Sequence, residues 1–537
     1  MERKIGVIDV GANTSRLIIM AYTPGAVFKL DDQIRERVRL SEGMGSANIL
    51  QPEPMQRTIQ LLKVYRLLCE ANDIDTIIAT ATSPVRDARN RDEFLRAAQD
   101  KAGLTLRVLT GEEEAYYGYL GAINSMDMRD GLVLDIGGGS LELTRVRNRQ
   151  MAQAASLPLG AVRLTEAFIH SDPARPNEVR SLTRHVDTLL KDLPWMRSRR
   201  AGTLIGLGGT IRALAKIDQR QRGYPLDRLH GYTLTLRSIE RILRDLERFS
   251  LNKRGRLPGL RSDRADVILA GTLALERVMR HAGFAELSVC GQGLREGLFY
   301  EHFLRASGAP LVPDVRAFGL ANLTYLYDMN WTHARHVEKL AVSLFDQLRR
   351  LHGYGSFERS ILSNTALLHD IGVSIDFYNH HDHSAYLILN AELPGFTHRQ
   401  IALMAQIALY HRRGTPHEHP FTGLLTREDD DRIEKLSALL RLAEYLERSR
   451  TQVVQSIKCG IRDEAVTLTC VVRGDAATEM WSTDQNAGLF RRVFKRDVIL
   501  KTRTASQGVP AGEPQSIQSA GPLWGRVQEI MSLKTRT

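Results

Sequence analysis

Over the first 150 positions, apolar residues fall in short runs broken by glycine. Ile5, Val7 and Ile8 lead into Asp9-Val10-Gly11-Ala12-Asn13, and Leu17-Ile18-Ile19-Met20 follow. This pattern predicts strand, tight turn and strand over 4–22. Helical patterns cover 55–71 and 91–102, with strand-like Thr76-Ile77-Ile78-Ala79 between them. Residues 132–146 return to the opening pattern: Leu132-Val133-Leu134, then Asp135-Ile136-Gly137-Gly138-Gly139-Ser140, then alternation from Leu141 to Val146. Strands alternating with helices predict an α/β architecture. The two hairpins align without gaps, Asp9 on Asp135, Gly11 on Gly137, Thr14 on Ser140 and Leu17 on Leu143. A repeat of this kind predicts a duplicated domain.

Past residue 310 the period changes. Amphipathic helices are expected over 333–351, 358–370, 399–413 and 431–449, with Val337, Leu340, Ala341, Leu344, Phe345 and Leu348 on one face. Residues 452–503 lose this period, and Ala465 to Val472 reads as a strand. Residues 504–521, rich in Ser, Gln, Gly and Pro, read as a flexible linker, with a short helix over 523–533.

A chain of 537 residues is too long for one core and implies three or four domains. Its 43% hydrophobic and 25% charged residues are ordinary for a globular protein, and no apolar run reaches the length of a membrane span. Met1-Glu2-Arg3-Lys4 runs straight into a strand, so no signal peptide is expected and the location is read as cytoplasmic. Cys69, Cys290, Cys459 and Cys470 show no paired spacing, which fits buried thiols in a reducing compartment. The net charge of +11 implies either a solvated basic surface or attraction for a polyanion. Basic residues cluster at Arg35-Arg37-Arg39, Arg197-Arg199-Arg200 and Lys253 to Arg264. No nucleic-acid motif stands out, and no nucleic-acid partner is expected.

Three glycine-rich turns carry the candidate chemistry: Gly11, Asn13 and Thr14 after Asp9; Gly137, Gly138, Gly139 and Ser140 after Asp135; and Gly208-Gly209-Thr210 opening a helix. Glycine lets backbone N–H groups approach an anion, hydroxyls add donors, and a helix N-terminus adds a favourable dipole. Asp9 and Asp135, at strand ends, suit holding Mg²⁺ or orienting water. Arg86 follows Ser83-Pro84 in a helical first turn, where a bound anion, or equally a nearby carboxylate, explains a cation better than helix stability does. In Thr110-Gly111-Glu112-Glu113-Glu114, a capping box accounts for Glu113, and Glu114 is left as a candidate general base.

Taken in order, Asp9 to Thr14, Thr82 to Arg86, Gly111 to Ala115, Asp135 to Ser140 with Glu142, Gly208-Gly209-Thr210 and Leu294 to Gly297 resemble the exopolyphosphatase/guanosine pentaphosphate phosphatase family. The resemblance spans about residues 4–300. It implies a duplicated actin-like ATPase (sugar kinase/Hsp70/actin) fold whose hairpins bracket phosphates across a cleft. It implies Glu114 as the base that activates water, Arg86 as a phosphate ligand, and Asp135 and Glu142 near Mg²⁺. Ala12 and Tyr116 depart from the family's usual serine and arginine, which bears on substrate preference.

The helical half carries His333, His336, His369-Asp370, His380, His381, His383, His411 and Glu444. Imidazole and carboxylate suit divalent first-row metals. Tandem His-Asp with an upstream His and a downstream acid resembles the HD phosphohydrolase superfamily. That resemblance implies His336, His369, Asp370 and a final Asp as ligands, and here Glu444, a longer acid that can still ligate, occupies the final position; His380, His381 and His383 are read as lying in a loop.

The expected organisation is lobe I over 1–125, lobe II over 126–308, a helical HD-like domain over 309–450, a small α+β domain over 451–503 and a linker and tail over 504–537. The expected activity is Mg²⁺-assisted removal of terminal phosphate from inorganic polyphosphate, or of the 5′ phosphate of guanosine pentaphosphate (pppGpp), by a homodimer. A small-molecule kinase and a non-catalytic alarmone sensor are the rival readings.

Overall fold

The computed structural model describes residues 2–45, 47–74, 76–197, 202–416 and 419–504. Arg199, Arg200, the tail helix and all but the first residue of the linker lie outside the described residues. The chain divides into two compact units, with the boundary after Val315.

The first unit holds two sheets of matching topology. In the first, β1 (Arg3–Val10), β2 (Thr14–Thr23), β3 (Val27–Arg37), β4 (Thr76–Ala81) and β5 (Arg107–Val108) lie in the order β3-β2-β1-β4-β5. The second has β6 (Gly131–Ile136), β7 (Leu141–Arg147), β8 (Gln150–Leu157), β9 (Thr203–Leu207), β10 (Thr233–Thr235) and β11 (Glu286–Val289), ordered β10-β11-β9-β6-β7-β8. Each begins as an antiparallel meander and continues through parallel strands on the other side of its first strand. The antiparallel β10 is the second sheet's one addition among the described strands. The duplication seen in the hairpins thus extends to whole sheets, and the fold is a duplicated actin-like ATPase fold. Equivalent cross-strand pairs carry different chemistry: Asp9 faces Arg16, and Asp135 faces Glu142.

Each sheet has its own core, one including Ile8, Leu17, Leu62 and Phe94, the other Leu134, Leu143, Ile211 and Leu273. Two helices are exchanged between the lobes. Gly111–Ile123, which follows the first sheet, lies on the second, where the Thr144 hydroxyl donates to the Ala115 carbonyl at 3.3 Å. Leu294–Phe303, which follows the second sheet, lies on the first, with Phe299 edge-on to Tyr22 and Phe28. The two cross at glycines whose missing side chains allow backbone contact, Gly121 on Gly293 and Gly297 on Tyr117.

The second unit is built on helices Trp331–Gln347, Ser356–Leu368, His398–Leu409 and Arg427–Tyr445, followed by a sheet ordered β12-β13-β14 (Val454–Ile461, Ala465–Val472, Asp497–Thr504). The helix expected over 333–351 ends at Gln347 and gives way to a short helix, Arg349–His352, which stops at Gly353 with φ +71°. His380, His381 and His383 are not in a loop: they open helix His380–Asn390. Its buried face starts with His380, His381 and Ser384, so the apolar pattern does not reveal it. No helix among the described residues is long and apolar enough to cross a membrane.

Candidate active site

Both hairpin turns close in the same way. The Gly11 amide donates to the Thr14 carbonyl at 3.2 Å and the Gly137 amide to the Ser140 carbonyl at 3.0 Å. The turns meet tip to tip: a β-carbon on Gly138 would stand 2.9 Å from that of Ala12 and 3.3 Å from the Asn13 amide nitrogen. Gly208, with φ +92°, lets β9 turn directly into helix Gly208–Arg222 close to the Asp135 carboxylate.

These segments line one cavity of about 140 Å³. Gly11, Asn13, Thr14, Gly137, Gly138, Gly139, Ser140, Gly208 and Gly209 reach it, as do Asp9, Glu114, Asp135 and Glu142. Two sequence-predicted residues do not. Thr210 is buried against Gly271, and Arg86 stands behind Glu114, paired with its carboxylate and donating to the Leu109 carbonyl at 3.0 Å. Arg86 therefore contacts the candidate base rather than the cavity.

The four carboxylates share a poorly solvated space. Burial, then Glu142, pushes Glu114 well above the usual carboxylate range, and Arg86 pulls it back. Burial raises Asp135 to about 6, and burial with Asp135 raises Glu142 to about 7. The Ser156 hydroxyl donates to Glu142 at 2.9 Å, whereas the buried Asp9 Oδ1 has no hydrogen-bond partner.

Sequence reasoning missed the opposing charge. Arg16, Arg212, Arg264 and Arg295 also line the cavity. Among the described residues none of the first three has a carboxylate within 4.0 Å, and Arg295 has its neighbour Glu296 at 3.4 Å. Burial and the other arginines hold Arg16 well below its ordinary value and lower Arg212 and Arg264. Cations crowded in this way are a place for an anion. The expected basic cluster of Arg35, Arg37 and Arg39 is instead largely paired: Arg35 with Asp263 and Arg37 with Asp266, both at 3.2 Å, and Arg39 with Asp266.

In the second unit, His369, Asp370 and Glu444 come together as expected, but His336 does not join them. Its Nε2 lies 2.8 Å from the Val454 carbonyl. His333, one turn earlier, takes the place, with Nε2 3.2 Å from Glu444 Oε2. Helical spacing presents residues three apart to neighbouring directions, so sequence alone did not separate the two.

Two actin-like lobes closing glycine turns, carboxylates and four arginines around one cavity define a phosphate-handling enzyme. Residues 18–306 match the Ppx/GppA phosphatase family and residues 315–477 match Ppx/GppA phosphatase, domain III. The chain belongs to the Ppx/GppA phosphatase family and is a phosphatase. It is similar to the Aquifex aeolicus member of that family, at 29% identity over 57% of this chain and 100% of the other, with a TM-score of 0.50. It is also similar to an exopolyphosphatase from Cytophaga hutchinsonii, at 25% identity over 56% of this chain and 98% of the other, with a TM-score of 0.52.

Proposed function

We propose that this phosphatase is an exopolyphosphatase, cutting the terminal phosphoanhydride of inorganic polyphosphate with water. The observation that carries this reading is the opposition of two glycine turns over one cavity that also holds Glu114. The amides and hydroxyls of Gly11–Thr14 and Gly137–Ser140 bind the terminal phosphoryl oxygens, and the N-terminus of helix Gly208–Arg222 adds its dipole. Arg16, Arg212, Arg264 and Arg295 hold the phosphates behind it. Glu114 takes a proton from the attacking water, while Arg86 orients its carboxylate. The P–O bond to the chain breaks, leaving orthophosphate and a chain shorter by one phosphate.

The site suits Mg²⁺. Asp9, with its unpartnered buried oxygen, and the carboxylates of Asp135 and Glu142, whose raised values mark a crowding of negative charge that a cation would relieve, offer the all-oxygen donor set that a hard dication prefers. When bound, Mg²⁺ offsets charge on the phosphoryl oxygens. Glu114→Gln tests the assignment: phosphate release from long-chain polyphosphate should fall roughly 10²–10⁴-fold. A rate near that of the wild type would remove Glu114 as base. Running pppGpp beside polyphosphate tests the substrate, and a higher kcat/KM for the nucleotide would reassign the enzyme as a pppGpp phosphohydrolase.

A further inference from the structure

Ion pairs tie the two lobes together at two places, and one of these ties reaches the candidate base. At one, Arg35, Arg37 and Arg39 of the first lobe meet Asp263 and Asp266 of the second. At the other the signs are reversed, and Asp87 of the first lobe meets Arg163 of the second. Arg163 sits in the first turn of helix Ala161–Phe168, which is built onto the second glycine turn. Amides at a helix start have no partner inside the helix. Here those of Ala161, Val162 and Arg163 donate to turn carbonyls, to Gly137 at 3.0 Å and to Gly138 at 2.9 and 3.2 Å. The Arg163 side chain adds to this anchorage: Nε donates to the Gly139 carbonyl at 2.9 Å, while Nη2 donates across to Asp87 Oδ2. Asp87 ends helix Ser83–Asp87, whose Ser83 hydroxyl leaves no room for a β-carbon on Gly139. The other carboxylate oxygen, Oδ1, lies 3.6 Å from Arg86 Nε. Arg86 in turn donates through Nη1 to the Leu109 carbonyl at 3.0 Å and to Glu114.

We infer that Asp87 and Arg163 are positioning residues for the hydrolysis, carrying the seating of the second glycine turn, through Arg86, to the carboxylate of Glu114. This rests on the reading of Glu114 as the base. The links alternate in charge: Arg163 on the turn, Asp87 between the lobes, Arg86 behind the cavity, Glu114 at its wall. A general base acts only with its oxygen within hydrogen-bond reach of the attacking water. Arg86 makes both its carbonyl and its Glu114 contacts through one nitrogen, so Asp87 at the Nε end is what keeps the guanidinium from pivoting. Without Asp87, two guanidiniums would face each other with no anion between them, and Arg86 would turn away and release Glu114. Without Arg163, Asp87 loses its anchor on the turn. The side chains of Arg86, Asp87 and Arg163 are 24–37% exposed, and ion pairs so open to water add little to stability, so their value lies in placement. If the second turn draws back from the first, Arg163 goes with it. The base is therefore held in place only while the turns are closed together.

The test is steady-state kinetics beside thermal melting on the full-length protein, with whichever of polyphosphate and pppGpp gives the higher kcat/KM. Asp87→Asn and Arg163→Ala should each lower kcat roughly 10–100-fold, the loss that displacing a catalytic group by about 1 Å brings, with little change in KM. The double variant should lose no more than the worse single one, because both substitutions break the same chain. Asp87→Glu keeps the charge and should recover most of kcat. Asp266→Asn breaks the interlobe pairs at the other place; it should lower the melting temperature as Asp87→Asn does and leave kcat close to that of the wild type. Merely holding the lobes together would not produce that split. Near wild-type kcat in Asp87→Asn or Arg163→Ala, beside a Glu114→Gln protein that has lost activity, would overturn the inference and leave the base in place. Losses that add in the double variant, or an equal loss of kcat in Asp266→Asn, would overturn it as well. A fully active Glu114→Gln protein would remove the base, and the inference with it.

Discussion

Among the described residues, Arg16, Arg212 and Arg264 at the phosphatase cavity have no carboxylate in ion-pair contact, which leaves them available to an anion. Arg264 shows how closely such a group is seated: its guanidinium lies where a β-carbon on Gly209 would fall. Gly209 is in the first turn of a helix and has no left-handed backbone to lose, so alanine is tolerated there except by that guanidinium. Gly209→Ala should therefore push Arg264 aside and raise KM for polyphosphate about tenfold, or ~1.4 kcal/mol. The melting temperature should move little, and Arg264→Ala should reproduce the KM effect. Steady-state kinetics beside thermal melting checks this, and a Gly209→Ala protein with wild-type KM would remove Arg264 from phosphate binding. Residues 16, 212, 264 and 295 share no spacing, and only the sheet topology gathers them, so the sequence does not announce this set. One signal was nevertheless present: Arg16 occupies the repeat position of Glu142.

At the scale of elements, the exchanged helices hold the lobes and the base in one frame. A β-carbon on Gly297 would run into the Tyr117 carbonyl, a backbone atom that cannot rotate away. Gly297→Ala should cost about 1–3 kcal/mol. Because Tyr117 is one turn beyond Glu114 on the same helix, kcat should fall with the melting temperature, whereas an ordinary surface substitution would change neither. A second element gives a pH prediction. Glu178, in the first turn of helix Pro176–Lys191, accepts from the Ser171 hydroxyl, the Arg175 amide at 2.7 Å and the His170 amide at 3.0 Å. These bonds lower it to about 2. A carboxyl depressed on folding stabilises fully above its unfolded value near 4.5, and that stability is lost as pH falls toward 2. The gap in melting temperature between wild type and Glu178→Gln should thus be widest above pH 5 and close near pH 2. Elements with plain periodicity were legible: Arg91–Ala102 begins and ends where the sequence places it, and the alternating Ala465–Val472 is a strand. Helix His380–Asn390 was not, because its inward face opens with histidine and serine before Ala385, Leu387 and Ile388.

For the whole molecule, duplication was legible because it repeats a chemical phrase, Asp to Ser or Thr through glycine. The pairing of lobe charges was not. Arg35, Arg37 and Arg39 look in sequence like a free basic patch, but their carboxylates, Asp263 and Asp266, are more than 200 residues away and arrive only on folding. If the net charge of +11 attracts a polyanion, that attraction must come from other surface groups, while the cavity arginines stand where a bound anion would be in contact. These contributions respond differently to salt. Exposed charges are screened as the Debye length shrinks from ~10 Å at 0.1 M to ~3 Å at 1 M, whereas buried groups are screened much less. Raising ionic strength over that range should increase KM for long polyphosphate several-fold, through slower capture, and leave kcat nearly constant. A short oligophosphate spans less of the surface field and should show a shallower rise. Parallel slopes for long and short chains would mean that the surface charge plays no part in holding the substrate, and that the cavity alone selects it.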